Sequence, residues 1–223
     1  RENTIEDQIE ISEVPAPIRW LDQLQRGEHY KERLEELGLT NIIRDEVGNV
    51  YGTYPGTGEG PKVVVSAHLD TVFAESVDFT VTRKGDILHG PGIGDDASGL
   101  AAMLGIIRAL KEENIQPKGD IIFLATVMEE GLVGDLGGAK HFMEQHGDID
   151  AFIGLEPGKP ERITNVFQGS VRMEITYKGP GGHGYGDFGN PNANHALGRA
   201  IAEIADIRTP SDPKTTFTVG TVE

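Results

Sequence analysis

The sequence predicts an α/β domain with a largely parallel central sheet, followed by the first part of a smaller α+β domain. Three observations carry this expectation. Apolar runs of strand length (Lys62–Ala67, Asp120–Val127 and Ala151–Leu155) alternate with segments of helical periodicity, the order that builds parallel sheets. The second run, Ile-Ile-Phe-Leu-Ala-Thr, is continuously apolar, as in a strand covered on both faces. After about Gln168 the pattern changes to an alternating strand, a glycine-rich loop, a helix and a last strand. The boundary therefore falls between a first domain, residues 1–168, and a partial second one, residues 169–223.

Taken in order, Ile18 to Leu37 reads as an amphipathic helix with Trp20, Leu21, Leu24, Leu34 and Leu37 on its apolar side and Gly27 as a break. Gly38 stops it. Asn41 to Arg44 and Val50 to Tyr54 read as paired strands around the turn Glu46-Val47-Gly48-Asn49. Short strands flank the turn Arg83-Lys84-Gly85-Asp86. Ala97 to Glu113 is a helix, with Leu100, Met103, Leu104, Ile107 and Leu110 at helical spacing. Another helix passes through Ala139 to Gln145, and Ala151 to Leu155 is expected as a buried strand. In the second domain, Val171, Met173, Ile175 and Tyr177 share one face of a strand from Ser170 to Tyr177. A helix from about Asn192 to Ile207 and a strand from Thr216 to Val222 follow.

Composition narrows the function classes. The 223 residues contain no cysteine, which excludes disulfides, thiolate metal sites and cysteine nucleophiles. A net charge of −16 disfavours a nucleic-acid partner. No apolar stretch reaches the length of a membrane span and no signal peptide is visible. A cytoplasmic location is favoured, with secretion left open if a leader preceded Arg1.

The chemistry sits just past the strand ends, where α/β sheets hold their sites. His68 and Asp70 follow the first apolar strand, and Asp70 is placed to hydrogen-bond the distal nitrogen of His68. Asp95-Asp96 closes the loop Gly90-Pro91-Gly92-Ile93-Gly94 immediately before a helix. An N-cap explains one of the two aspartates but not the glycines. A phosphate loop lacks its lysine, and two carboxylates would repel an anion. Glu129-Glu130 ends the most hydrophobic strand, where two carboxylates are costly without a compensating positive charge. Glu156 ends the next strand. One imidazole among these carboxylates is the composition of a site for one or two borderline-hard cations, and it points to hydrolysis.

The stretches Ser66-Ala67-His68-Leu69-Asp70-Thr71-Val72, Gly90-Pro91-Gly92-Ile93-Gly94-Asp95-Asp96, Met128-Glu129-Glu130-Gly131 and Leu155-Glu156-Pro157 together resemble metallopeptidase family 20. These are co-catalytic zinc exopeptidases and deacylases such as peptidase T, carboxypeptidase G and acetylornithine deacetylase. The resemblance implies a three-layer zinc-exopeptidase domain with an inserted lid that commonly mediates homodimerisation. It implies two Zn²⁺ ions, with Co²⁺ or Mn²⁺ able to use the same ligands. His68 and Glu156 would hold one ion and Glu130 the other, with Asp95 between them and a cis peptide to Asp96. Asp70 would orient His68, and Glu129 would be the general base. Tyr177-Lys178-Gly179-Pro180-Gly181-Gly182-His183-Gly184 resembles the start of the lid, which makes His183 the candidate for stabilising an oxyanion.

The family's second half of the lid, and the later histidine that closes its second metal site, have no counterpart in these 223 residues. The second ion is therefore expected to need another ligand. The substrate expected from the resemblance is a short peptide. An N-acyl amino acid is the alternative, and a non-catalytic metal-binding or dimerisation module is the reading from a different class.

Overall fold

The computed structural model describes residues 2–17, 25–130, 135–159 and 161–223. In chain order they form α1 (Glu2–Glu13), α2 (Gln25–Glu36), β1 (Thr40–Arg44), β2 (Val50–Tyr54), β3 (Val63–His68), β4 (Thr82–Lys84), β5 (Ile87–His89), α3 (Ala97–Glu112), β6 (Ile121–Thr126), α4 (Gly137–Gln145), β7 (Ala151–Gly154) and α5 (Ala193–Ala205). Contacts divide the chain into two units, Arg1–Val166 and Phe167–Glu223. Among the described residues no helix is long and apolar enough to cross a membrane.

The first unit is built on a five-stranded sheet of order β1-β2-β6-β3-β7. Strand β3 runs parallel to both β6 and β7, while β2 is antiparallel to β1 and β6. The sheet is thus mixed, with the expected parallel half at the end that carries the site residues. Strand pleating sorts each apolar run between two cores. Val65 and Ala67 of β3, with Phe123 and Ala125 of β6, pack with Leu100, Met103, Leu104 and Ile107 of α3 and with Tyr30 and Leu34 of α2. Val64, Ile122 and Leu124 face the other way, onto Phe142 of α4. Helices therefore cover both faces, which is why β6 reads as an unbroken apolar run. Replacing the fully buried Leu104 by Ala is expected to cost about 2–5 kcal/mol of stability, measurable by urea unfolding.

Helix α1 has no counterpart in the sequence expectations, because its apolar periodicity is thin. It is docked by one core side chain, Ile11, and by a buried carboxylate. Asp7, 1% exposed, accepts from Arg33 of α2 at 2.5 Å and from Arg108 Nη2 of α3 at 2.9 Å. A polar clamp of this kind leaves no hydrophobic stripe to read. The first half of the helix expected over Ile18 to Leu37, with Trp20, Leu21 and Leu24, lies outside the described residues. Its second half is α2, which runs through Gly27 without a break. A helical glycine costs only about 1 kcal/mol, and Arg26, Tyr30 and Leu34 anchor the flanking turns in the core.

Two further expectations are corrected. Strand β7 is not buried: it is the sheet's edge, and Phe152 and Ile153 are 40% and 49% exposed. A continuous apolar run identifies a strand but not its place in the sheet. In the second unit, neither Ser170–Tyr177 nor Thr216–Val222 forms a strand. Alternation selects a face, but a strand exists only through its ladder, and neither segment is paired. The helix expected there is present as α5, with Asn192 capping it through the amide of His195 at 3.0 Å.

Candidate metal centre

The first ligand candidate is set by the end of β3. His68 is 1% exposed, and its backbone N–H donates to Asp96 Oδ2 at 3.1 Å. The same Asp96 carboxylate caps α3 by accepting from the amide of Gly99 at 2.9 Å. A Cβ on Gly99 would stand 2.4 Å from Asp96 Oδ1, so glycine is required there. Asp96 thus does two structural jobs, and Asp95 is left to face the imidazole. The peptide bond between the two aspartates is cis. Gly92, at φ +67°, lets the preceding loop turn tightly against Thr71 and the Asp95 carbonyl.

Side chains from three strand ends and one helix start meet at the imidazole. His68 Nε2 lies 2.8 Å from Asp95 Oδ1, 3.9 Å from Glu129 Oε2 and 4.0 Å from Glu156 Oε2. The ligand atoms of His68, Asp95 and Glu156 fall within 4.8 Å of one another. Those of His68, Glu129 and Glu130 do so as well. Asp95 and Glu156 are about half exposed, at 52% and 54%, so the centre opens to solvent on one side.

Asp70 is oriented differently from the sequence expectation. The group against His68 Nδ1 is its backbone carbonyl, at 2.9 Å, while its carboxylate is 3.8 Å away. The carboxylate, fully buried, accepts the backbone amides of Glu129 at 3.2 Å and Glu130 at 2.9 Å. One residue therefore orients the imidazole through its main chain and seats the Glu129-Glu130 pair through its side chain. Sequence spacing shows that His68 and Asp70 are near each other, but not which oxygen is used.

Two residues near the centre escaped the sequence reading. Arg26, fully buried, donates to the Leu69 carbonyl between His68 and Asp70. A lone arginine in a helix reads as a surface residue, so no signal marked it. Asn49, also buried, accepts from the amide of Val127 at 3.1 Å and donates to the Gly138 carbonyl at 3.0 Å, fixing the chain that leads from β6 to Glu129. His183 lies in the second unit. Its Nδ1 faces the amides of Tyr185 and Gly186 at 3.3 and 3.2 Å, and its own amide donates to Asp187.

The electrostatics state what the cluster lacks. Burial disfavours the charged His68 ring, but Asp96, Asp70 and Glu156 outweigh that and raise its pKa to about 9. Burial pushes the Asp96 carboxyl up to about 8 against the pull of His68. Glu156 is raised to about 7, by burial first, with His68 opposing and Glu129, Asp95 and Glu130 adding to the rise. Glu130 is raised by burial and then by Asp95. Several carboxylates crowd one imidazole with too little positive charge among them. An imidazole with carboxylate oxygens is a donor set for zinc, cobalt or manganese, and a divalent cation supplies the missing charge. The residues present fit a metal.

The model of peptidase family M20/M25/M40 matches residues 64–221, well over half of the chain and all of the cluster. The chain belongs to this family. It is 30% identical to a succinyl-diaminopimelate desuccinylase of Orientia tsutsugamushi (strain Ikeda), over 87% of this chain and 54% of that protein. It is 26% identical to carboxypeptidase G2 of Pseudomonas sp. (strain RS-16), over 79% of this chain and 47% of the relative. Among solved structures it resembles aminopeptidase PepT from Bacillus cereus, with a TM-score of 0.60 and 26% identity over 71% of this chain and 44% of that one. The family is one of peptidases, and its solved member YXEP of Bacillus subtilis is a dinuclear metal-binding peptidase. The chain spans about half the length of the curated relatives it matches.

Proposed function

We propose that this chain carries the metal-binding part of a hydrolase that cleaves the amide bond of short peptides with an activated water. The observation that carries the proposal is the convergence of His68, Asp95, Glu129, Glu130 and Glu156 from four separate segments. In this reading His68 and Glu156 would hold one zinc ion and Glu130 the other, with Asp95 available to both. When bound, the two ions supply the charge that polarises a scissile carbonyl and makes water acidic enough to be deprotonated near neutral pH. Glu129 accepts the proton of the attacking water and returns it to the leaving amine. Its carboxylate is about one-third exposed, which suits a group that must reach both water and substrate. Asp70 holds the amides of Glu129 and Glu130, and so keeps ligand and base at fixed spacing. Residues 1–168 are the catalytic domain, and residues 169–223 belong to a lid that also serves homodimerisation. His183 is the candidate there for stabilising the oxyanion.

A second reading, an N-acyl amino acid deacylase, is favoured by the 30% identity to a protein named as a desuccinylase. Both readings share the same water attack. The test is a panel of di- and tripeptides and N-succinyl amino acids, assayed with and without a chelator. The proposal expects zinc-dependent release of amino acids from the peptides. Preference for the N-succinyl compounds selects the deacylase, and turnover unaffected by chelation contradicts both readings.

A further inference from the structure

We infer that Arg26 is a positioning residue for the metal centre, acting through the Leu69 carbonyl. This deepens the proposed function and rests on its reading of His68 as a ligand. The guanidinium is fully buried, and its acceptors are all main-chain carbonyls. Nε donates to Val14 at 2.9 Å, Nη1 to Leu69 at 2.9 Å and Nη2 to Ser12 at 3.4 Å. Val14 and Ser12 belong to the end of α1 and the turn after it, whereas Leu69 separates His68 from Asp70. One rigid planar group therefore ties the two N-terminal helices to the turn that bears the imidazole.

The turn is held from its other sides as well. The Leu69 amide donates to the Thr126 carbonyl at 2.7 Å, and the Thr71 amide to the Ala16 carbonyl at 2.9 Å. With Leu69 clamped on both its polar groups, the next residue has little freedom. Asp70 must then point its carbonyl at His68 Nδ1 and its carboxylate at the amides of Glu129 and Glu130. The contacts run without a gap from Arg26 through Leu69 and Asp70 to a ligand and the proposed base. A buried guanidinium is an expensive way to join two helices to a loop. Elsewhere in the same helix the anchor is an apolar side chain, Leu34, or an aromatic ring with a single hydroxyl bond, Tyr30 to the Leu100 carbonyl. What arginine adds is three directional donors that fix peptide orientation.

The test compares Arg26→Lys with Leu34→Ala, a control that loosens the same helix without touching the turn. Lysine keeps the charge but cannot satisfy the three carbonyls in the same fork. In the metal-free chain, amide exchange at Glu129 and Glu130 is expected to rise at least about tenfold more in Arg26→Lys than in Leu34→Ala, after correction for global stability. Co²⁺ affinity is expected to fall about tenfold or more in Arg26→Lys and to stay within about twofold of wild type in Leu34→Ala, in line with losses seen for groups that orient metal ligands. Equal exchange and equal affinity in the two variants would reduce Arg26 to a helix anchor and overturn the inference. A measurement on the unaltered chain needs no variant: the Arg26 Nε–H resonance is expected to shift on adding Zn²⁺, and an unmoved signal alongside bound metal counts against the inference. Failure of the wild-type chain to bind Co²⁺ or Zn²⁺ strikes at the metal reading instead, and the metal-free exchange comparison still judges Arg26.

Discussion

Replacing Glu129 by Gln is expected to lower the hydrolytic rate constant by about 10²–10⁴-fold while leaving metal content within error of wild type. The substitution keeps the side chain's size and shape but exchanges one acceptor oxygen for a donor NH2 and removes its ability to accept a proton. Its backbone amide still donates to Asp70, so the seat of the neighbouring Glu130 is preserved. The geometry sharpens the test, because the Glu129 carboxylate lies close enough to His68 to be counted among the ligand atoms. Turnover assays paired with elemental analysis separate the alternatives. Loss of turnover with metal retained identifies the base. Loss of both makes Glu129 a ligand, and unchanged turnover removes it from the reaction.

Asp70→Ala is expected to be the most damaging single change to the stability of the centre. The carboxylate is fully buried and accepts two amides, and hydrogen bonds to charged groups contribute about 1.5–3 kcal/mol each. Its removal also takes from the buried Arg26 a carboxylate that favours its charged form, in a site where burial already lowers its pKa to about 10. A loss of about 3–5 kcal/mol is expected, read as a shift in urea midpoint at unchanged slope. Asp70→Asn should recover only part of this, since its amide group cannot accept where the carboxylate did. A loss under about 1 kcal/mol would mean that Glu129 and Glu130 are seated by something other than Asp70.

The sequence made the parallel half of the sheet legible because β3 and β6 are apolar on both faces, and each is covered on both. It made the cluster legible because His68, Asp95, Glu129, Glu130 and Glu156 each follow a strand or precede a helix, the positions that an α/β sheet gathers at one end. What escaped it has physical causes. Helix α1 is docked through Ile11, Asp7 and two arginines, an arrangement with no hydrophobic period to detect. The exposure of β7 depends on what lies beside it, which a local pattern does not encode. The strands expected after Gln168 had the right alternation but no ladder. Asp70 was recognised as a partner of His68, yet a carbonyl contact and a carboxylate contact leave the same trace in sequence. Arg26 left no trace, because burial of a helical arginine is decided by distant carbonyls.

The central claim is that this cluster is a metal site, and zinc content measured by elemental analysis tests it most directly. The unaltered 223-residue chain and its His68→Ala variant would both be dialysed against metal-free buffer. The proposed function predicts tightly held zinc in the unaltered chain, at one ion per chain or more, and its loss on replacing His68, whose Nε2 lies within reach of Asp95, Glu129 and Glu156. A chain that retains no metal, or a His68→Ala variant that retains as much as the unaltered chain, contradicts it.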